Sequence, residues 1–196
     1  MKAITCLITD RRRLSDPGPE GVLRQVRGAA ANGIQLVQIR ERDLDARTLY
    51  DLCQRAVDIV RGTATRVIVN DRLDVALAAN AHGVQLRGGS FPGSRVRPVV
   101  PRGFLIGQSV HSPDEAAAAG AADFLLFGTV FATASKPGTS PTGLARLADA
   151  VRATLVPVLA VGGVSMANLP HVLEAGAAGF AAISMFEALG ASTSPC

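Results

Sequence analysis

From residue 3 onward the chain alternates short aliphatic runs with longer stretches in which apolar residues recur every three or four positions. The runs are AITCLIT (3–9), IQLVQIR (34–40), RVIVN (66–70), GVQL (83–86), FLIGQSV (104–110), DFLLFG (123–128), PVLAVGG (157–163) and GFAAISM (179–185). Their length and β-branched character predict eight strands. The intervening periodicity predicts helices, clearest over 20–32, 45–60, 112–119, 144–154 and 167–175. Asp45 and Ser112 are suited to N-caps, and Gly62, Gly120 and Gly176 to helix stops.

Strands that read as nearly unbroken apolar runs are buried on both faces, so the sheet should be parallel and covered by helices. Eight βα units predict an α/β chain folded as a single (β/α)8 TIM barrel over residues 1–190. An open doubly wound sheet would show a glycine-rich turn after its first strand, and LITDRRRLSDPG is not one. Barrels of this type usually take about 250 residues. Only 186–196 follow the eighth run, so the last helix should be short or missing, with 191–196 a flexible tail. The groove beside strand eight would then be partly uncovered, which predicts a homodimer.

Composition narrows the function. With 196 residues, 48% of them apolar, the chain can bury one core. No apolar stretch is long enough for a membrane span and the N-terminus lacks a signal-peptide pattern, so no membrane contact and a cytoplasmic location are expected. The 3 cysteines are widely spaced, which argues against disulfides and structural zinc. The net charge is +4, and all of the 20 basic residues except Lys2 and Lys136 are arginine. Arginine favours bidentate contact with phosphate or carboxylate. Nucleic acid is not expected, because aromatics make up only 4% of the chain and the one basic triple is Arg11–Arg13.

In a (β/α)8 barrel, chemistry gathers where the strands end. The second run delivers Gln38, Arg40 and Arg42 at spacing two, which would turn all three side chains the same way if the segment is extended. The third delivers Asn70 and Asp71, the fifth Ser109 and His111, and the sixth loop Thr129, Thr133, Ser135 and Lys136. After the seventh run Gly162 and Gly163 precede a helical stretch, and Ser184 closes the eighth. Backbone amides at Gly163 and Ser184 would form the phosphate site common after strands seven and eight. Ordinary structural roles compete at each position: a lone His is often a hydrogen-bonded scaffold residue, and paired glycines often mark only a tight turn.

The motifs QIRERD, VNDRLDVAL, GVQL, IGQSVHSPDEA, FGTVFATASKPG and PVLAVGGVSMANL, taken in order, resemble the thiamine phosphate synthase and TenI superfamily across nearly the whole chain. The resemblance implies a barrel, usually dimeric, acting in vitamin B1 biosynthesis on a pyrimidine pyrophosphate and a thiazole phosphate. One branch, the synthase, joins the two using magnesium held by carboxylates after strands three and four. Asp71 stands at the first of those positions and Ser90 at the second, while Arg42 replaces the lysine of the family's QxRxK motif. Gln38, Arg40, Asn70 and Lys136 match residues that contact the pyrimidine pyrophosphate.

The other branch, the thiazole tautomerase, needs no metal and moves a proton on carboxythiazole phosphate. QIRERD, GGSF, SVHS and LFGTVF resemble that branch, although Thr129 stands where it has its histidine. The expectation is therefore a tautomerase without cofactor, with His111 as acid-base group beside Thr129. Phosphate-bearing substrate would meet Gln38, Arg40, Arg42, Asn70, Ser109, Thr133, Lys136, Gly163 and Ser184. The alternatives are a thiamine phosphate synthase, with Asp71 holding any magnesium used, and a non-catalytic barrel that binds a thiazole phosphate-type ligand.

Overall fold

The computed structural model describes residues 3–133, 138 and 140–190. Eight parallel strands run in sequence order around a closed barrel, as expected for a (β/α)8 chain. They are β1 (Ile4–Ile8), β2 (Leu36–Ile39), β3 (Arg66–Asn70), β4 (Gly83–Leu86), β5 (Leu105–Val110), β6 (Phe124–Phe127), β7 (Val158–Val161) and β8 (Gly179–Ala182). Seven helices alternate with them: α1 (Pro19–Ala31), α2 (Ala46–Val60), α3 (Leu73–Ala78), α4 (Gly93–Val96), α5 (Pro113–Ala118), α6 (Gly143–Arg152) and α7 (Leu169–Glu174). Among the described residues β8 is followed by a 3-10 helix, Ser184–Gly190, so the last helical element described is short, as expected. None of the helices among the described residues is long and apolar enough to cross a membrane.

The caps follow the sequence signals. Asp45 accepts from the amides of Arg47 and Thr48 at 2.9 and 3.0 Å, and Ser112 accepts from the amide of Glu115 at 3.2 Å. Each thereby satisfies donors that a helix start leaves bare. The hydrophobic pattern does not single out α3 or α4, which are 6 and 4 residues long.

The chain divides into two compact units, one built on residues 6–84 with the segment from 183, the other on 85–182 with the start of β1. In the first unit, β1, β2 and β3 pair in parallel with Ile8 opposite Gln38 and Gln38 opposite Ile68. The terminal 3-10 helix lies on α1. The buried Gln25 amide of α1 donates to the Phe186 carbonyl at 3.0 Å, and Arg13 pairs with Glu187. A β-carbon on Gly28 of α1 would stand only 3.0 Å from the Leu189 carbonyl oxygen. The short tail thus covers the face of α1 and does not leave it bare.

In the second unit β5 pairs with β6, β6 with β7 and β7 with β8. Gly107 on β5 gives the core its clearance: a β-carbon there would fall 2.3 Å from the Phe124 ring and 2.1 Å from Gln85 Oε1. Contacts below 3 Å cannot be accommodated without moving backbone or ring, so glycine at this point is a packing requirement. Cys6 and Cys53 are free and buried, and burial pushes both thiols up to about 12. Neither is a nucleophile near neutral pH.

Candidate active site

The site residues of the 6–84 unit gather around β2. Gln38 is 2% exposed and donates through Nε2 to Asn70 Oδ1 at 3.0 Å, so neighbouring strands bring these two candidates together. Gln38 Oε1 is buried and meets no hydrogen-bond donor among the described residues. Such an atom is costly to leave unpaired, and it fits a ligand that donates a hydrogen bond. Asp71 follows directly on β3 with φ of 56°, a left-handed conformation uncommon for a residue other than glycine. Asp tolerates it better than most, and strained backbone of this kind is often found at functional sites.

Strand β2 ends at Ile39, and Arg42 already lies in a turn. The spacing-two argument therefore does not extend to Arg42, because strand alternation stops before it. What assembles this segment instead is Glu41, a residue not singled out from the sequence. It is 4% exposed, accepts the Thr9 hydroxyl at 2.6 Å, and accepts the Arg11 amide at 3.2 Å on both of its oxygens. The Thr9 hydroxyl in turn accepts the Arg40 amide at 3.0 Å. Burial pushes the Glu41 carboxyl up, while the Thr9 hydroxyl and then the Arg11 amide pull it down.

Arg11 is engaged at both ends of its guanidinium, which donates to the Pro17 carbonyl at 2.9 Å and to Asp43 at 2.6 Å, while its buried Nε stands 3.8 Å from Glu41. Arg40 and Arg42 differ from it. Among the described residues neither guanidinium forms a salt bridge or a side-chain hydrogen bond. Arg40 is half-buried, and burial, followed by the charge of Arg42, lowers its guanidinium from the ordinary arginine value. A signal for this network was present in QIRERD, where an acid separates two arginines, but the sequence does not say that the acid is buried.

Among the described residues, the predicted site residues of the 85–182 unit are hydroxyls, a glycine and one histidine. Ser109 Oγ accepts from Gln85 Nε2 at 3.1 Å, and Gln85 is itself 1% exposed. His111 is exposed, with Nδ1 2.6 Å from the Gly128 carbonyl and its amide donating to Glu115 at 2.8 Å. A carbonyl can only accept, so Nδ1 carries the proton and Nε2 holds the lone pair. Nε2 faces the β4 loop, where a β-carbon on Gly88 would approach it to 3.2 Å. The scaffold histidine weighed from the sequence is visible here in the bond to Gly128, and the free Nε2 leaves an acceptor as well.

Thr129 is 6% exposed and its carbonyl accepts from both the amide and the hydroxyl of Thr142, at 2.8 and 3.0 Å. Gly162 and Gly163 have φ of 95° and 65°. A β-carbon on Gly162 would sit 2.5 Å from Thr129 Cγ2, and one on Gly163 would sit 2.5 Å from the Ala132 carbonyl. The glycine pair therefore admits the β6 loop, and Asn168 locks the turn by donating to the Gly163 carbonyl at 2.9 Å. The helix behind this turn starts only at Leu169, and Ser184 opens a 3-10 helix and is exposed. Gly163 is therefore not at a helix N-terminus; any phosphate contact there would come from turn amides. Thr133 is half-buried, while Lys136 and Ser135 lie outside the described residues.

The remaining histidines serve elsewhere. His82 stands at the start of β4, its Nδ1 accepting the Val67 amide at 3.1 Å, and His171 is exposed on α7. For a metal the donor set is sparse. No group of three or more His, Cys, Asp or Glu residues able to hold an ion occurs among the described residues. At the two positions where the resemblance calls for carboxylates, Asp71 offers one and Ser90 a neutral hydroxyl. These residues do not fit a two-carboxylate magnesium site.

A closed parallel barrel with polar strand ends defines a (β/α)8 enzyme scaffold. Residues 5–186 match the family described as thiamine monophosphate synthase, TMP-TENI. The chain belongs to this family. It is 44% identical over 181 residues to a putative thiamine-phosphate synthase of Geobacter sulfurreducens, covering 91% of this chain and 84% of that protein. It is 43% identical over 159 residues to the thiamine-phosphate synthase of Methanoculleus marisnigri, covering 80% and 75%. Among solved structures, thiamine phosphate pyrophosphorylase from Pyrococcus furiosus superimposes with TM-score 0.79 at 34% identity, covering 96% of this chain and 88% of that one. Family membership places the chain among enzymes of thiamine biosynthesis. The relatives carry synthase names, so the finer expectation of closest kinship with the TenI-like tautomerase branch is not supported.

Proposed function

We propose that the protein is a thiamine phosphate synthase, a transferase that joins hydroxymethylpyrimidine pyrophosphate to thiazole phosphate. Such a reaction breaks the bond between the pyrimidine methylene carbon and the pyrophosphate oxygen, and the electron pair leaves with pyrophosphate. The methylene carbon is taken up by a nucleophilic atom of the thiazole ring. The demand on the protein is to orient the two rings and to neutralise the charge that grows on the leaving group.

The observation that carries this reading is the pair of guanidiniums, Arg40 and Arg42, without a salt bridge or side-chain hydrogen bond among the described residues, beside a buried amide pair, Gln38 and Asn70. The arginines supply fixed positive charge for pyrophosphate, and Gln38 Oε1 supplies an acceptor for an amino group on the pyrimidine. Synthase names among the relatives point the same way. A tautomerase has less to recommend it, since the relatives carry synthase names and Thr129 stands where that branch has its histidine, leaving the role to His111 alone. Ser109, Thr133, Lys136, Gly163 and Ser184 remain substrate-binding proposals, with the thiazole phosphate assigned to the turn amides. No step is assigned to a metal. We also retain a homodimer, a cytoplasmic location and the absence of nucleic-acid binding as proposals.

The test is release of inorganic pyrophosphate by the purified protein. The reading expects release that requires both substrates and falls about 100-fold in Arg40→Ala, the loss of a charge-assisted bond made to the leaving group. Release that needs no thiazole phosphate, or none at all, would overturn it.

A further inference from the structure

Glu41 is not accounted for by the proposed reaction. It is a carboxylate almost fully removed from water, it lies between two arginines that the anionic substrate would use, and by charge alone it opposes them. Its partners are specific. The bonds from Thr9 and from the Arg11 amide join the segment after β1 to the segment after β2, and the Arg40 amide closes the link through the Thr9 hydroxyl. The Glu41 carbonyl also accepts the Leu44 amide at 3.4 Å, which folds the turn that carries Arg42.

The segment after β1 carries a second arginine with a different fate from Arg11. The 3-10 turn Arg11–Arg13 presents Arg12, whose side chain is 67% exposed and only 3.5 Å from Asp10. Arg12 follows directly on Arg11, whose amide Glu41 holds. Arg11 is used to build the turn, through Glu41, Asp43 and the Pro17 carbonyl. Arg12, Arg40 and Arg42 keep donors for something else.

We propose that Glu41 is the positioning residue of an anion clamp: it binds the turn bearing Arg12 to the turn bearing Arg40 and Arg42, so that three guanidiniums address one pyrophosphate. The inference rests on the reading of Arg40 and Arg42 as pyrophosphate ligands. In a chain whose β4 loop offers Ser90 in place of a carboxylate, the clamp supplies neutralising charge from the protein itself. Glu41 does not touch substrate in this arrangement. It fixes the position of groups that do, and the free energy of its own burial is offset by the three hydrogen bonds it accepts.

Charge and position make opposite predictions for one substitution, which is what makes the inference testable. Glu41→Gln removes a negative charge next to three arginines, so Coulomb's law alone requires tighter binding of an anion. If Glu41 holds the turns, the same change weakens binding, because Oε1 can still accept the Thr9 hydroxyl and the Arg11 amide but an NH2 in place of Oε2 sets a donor against the Arg11 N–H at about 3.2 Å. Inorganic pyrophosphate serves as the probe, titrated calorimetrically into the full chain at fixed ionic strength with and without magnesium. The expected result is binding by the wild type and a roughly 10-fold weaker dissociation constant in Glu41→Gln, the scale of a lost hydrogen bond to a charged group. In the coupling assay the KM for the pyrimidine pyrophosphate should rise by a similar factor while the KM for thiazole phosphate stays put, a split that general loosening would not produce.

Thr9→Val is the charge-neutral companion and carries the test if Glu41→Gln fails to fold. It cuts the link between Arg40 and Glu41 and should also weaken pyrophosphate several-fold. Equal or tighter pyrophosphate binding in either folded variant would overturn the positioning role while leaving the synthase reading intact. A wild type that binds no pyrophosphate under either condition would overturn the anion site and the clamp together.

Discussion

The two units of the chain prepare their strand ends by opposite means. In the 6–84 unit the residues after β1 and β2 are charged, and the order comes from a buried acid: Glu41 collects Thr9 and Arg11 and leaves Arg40 and Arg42 free to face an anion. In the 85–182 unit Arg87 follows β4, but the residues directly after β6 and β7 are uncharged, and the order there comes from close backbone approach. Gly128, Gly162 and Gly163 admit neighbouring segments to distances at which a β-carbon would fall within 2.5 Å of another atom. One unit is suited to meet charge on a leaving group; the other is suited to hold a ring and a phosphate with backbone amides and hydroxyls. Charge-built sites should respond to changes of charge and pH, and backbone-built sites to changes of volume.

The largest effect is expected where volume enters the 85–182 unit. Gly162→Ala must place a β-carbon 2.5 Å from Thr129 at a φ of 95°, so strain and clash add. Urea denaturation should show a loss of about 3 kcal/mol or more; a loss below 1 kcal/mol would mean that the turn yields easily. In the charged unit, Glu41→Leu strands the Thr9 hydroxyl and the Arg11 amide without their acceptor. The same experiment should read about 2 kcal/mol, and a neutral result would show that the buried acid organises nothing.

A smaller effect should follow from adding charge to the 85–182 unit. Ser90→Asp supplies the carboxylate that the resemblance calls for, and coupling should become more responsive to magnesium by about fivefold, close to 1 kcal/mol. Equal magnesium response in wild type and variant would show that this position has no say in metal use.

The smallest effect is a pH dependence confined to the charged unit. Burial and then the charge of Arg66 hold His82 below its ordinary value of 6.5. The unfolded chain therefore takes up the proton first as pH falls. His82 contributes stability that is fully present above about 6.5 and is lost as pH drops from there through the folded value. Glu41 runs the other way: its raised carboxyl favours the folded state below 4.5, and that contribution is lost as pH rises through the folded value. In thermal melts across this range, His82→Asn should keep an acceptor for Val67 and flatten the loss below 6.5; an unchanged slope would assign that loss to other groups.

Much of this was legible in the residues. The eight apolar runs became eight strands, with β3 and β4 matching to the residue, because continuous apolar runs bounded by polar turns leave little choice of structure. The βαβ pattern puts Gln38 and Asn70 on neighbouring strands, but their hydrogen bond is read only from the fold. Arg42 did not follow, because strand alternation ends with β2 at Ile39, three residues before it. Glu41 was missed for a physical reason: an acid between two arginines reads as a solvated charge, and only the fold shows that it is 4% exposed. The tautomerase expectation leaned on short loop motifs shared by both branches, whereas Thr129, the position that separates them, already argued against it.

The account's central claim is tested most directly by the two candidate activities measured on one preparation. The purified chain is given hydroxymethylpyrimidine pyrophosphate with thiazole phosphate in one vessel and the dearomatised carboxythiazole phosphate in another, and the two kcat/KM values are compared. The account predicts thiamine phosphate as the product of the first, at an efficiency roughly 100-fold or more above tautomerisation in the second. Tautomerisation without thiamine phosphate formation would contradict it.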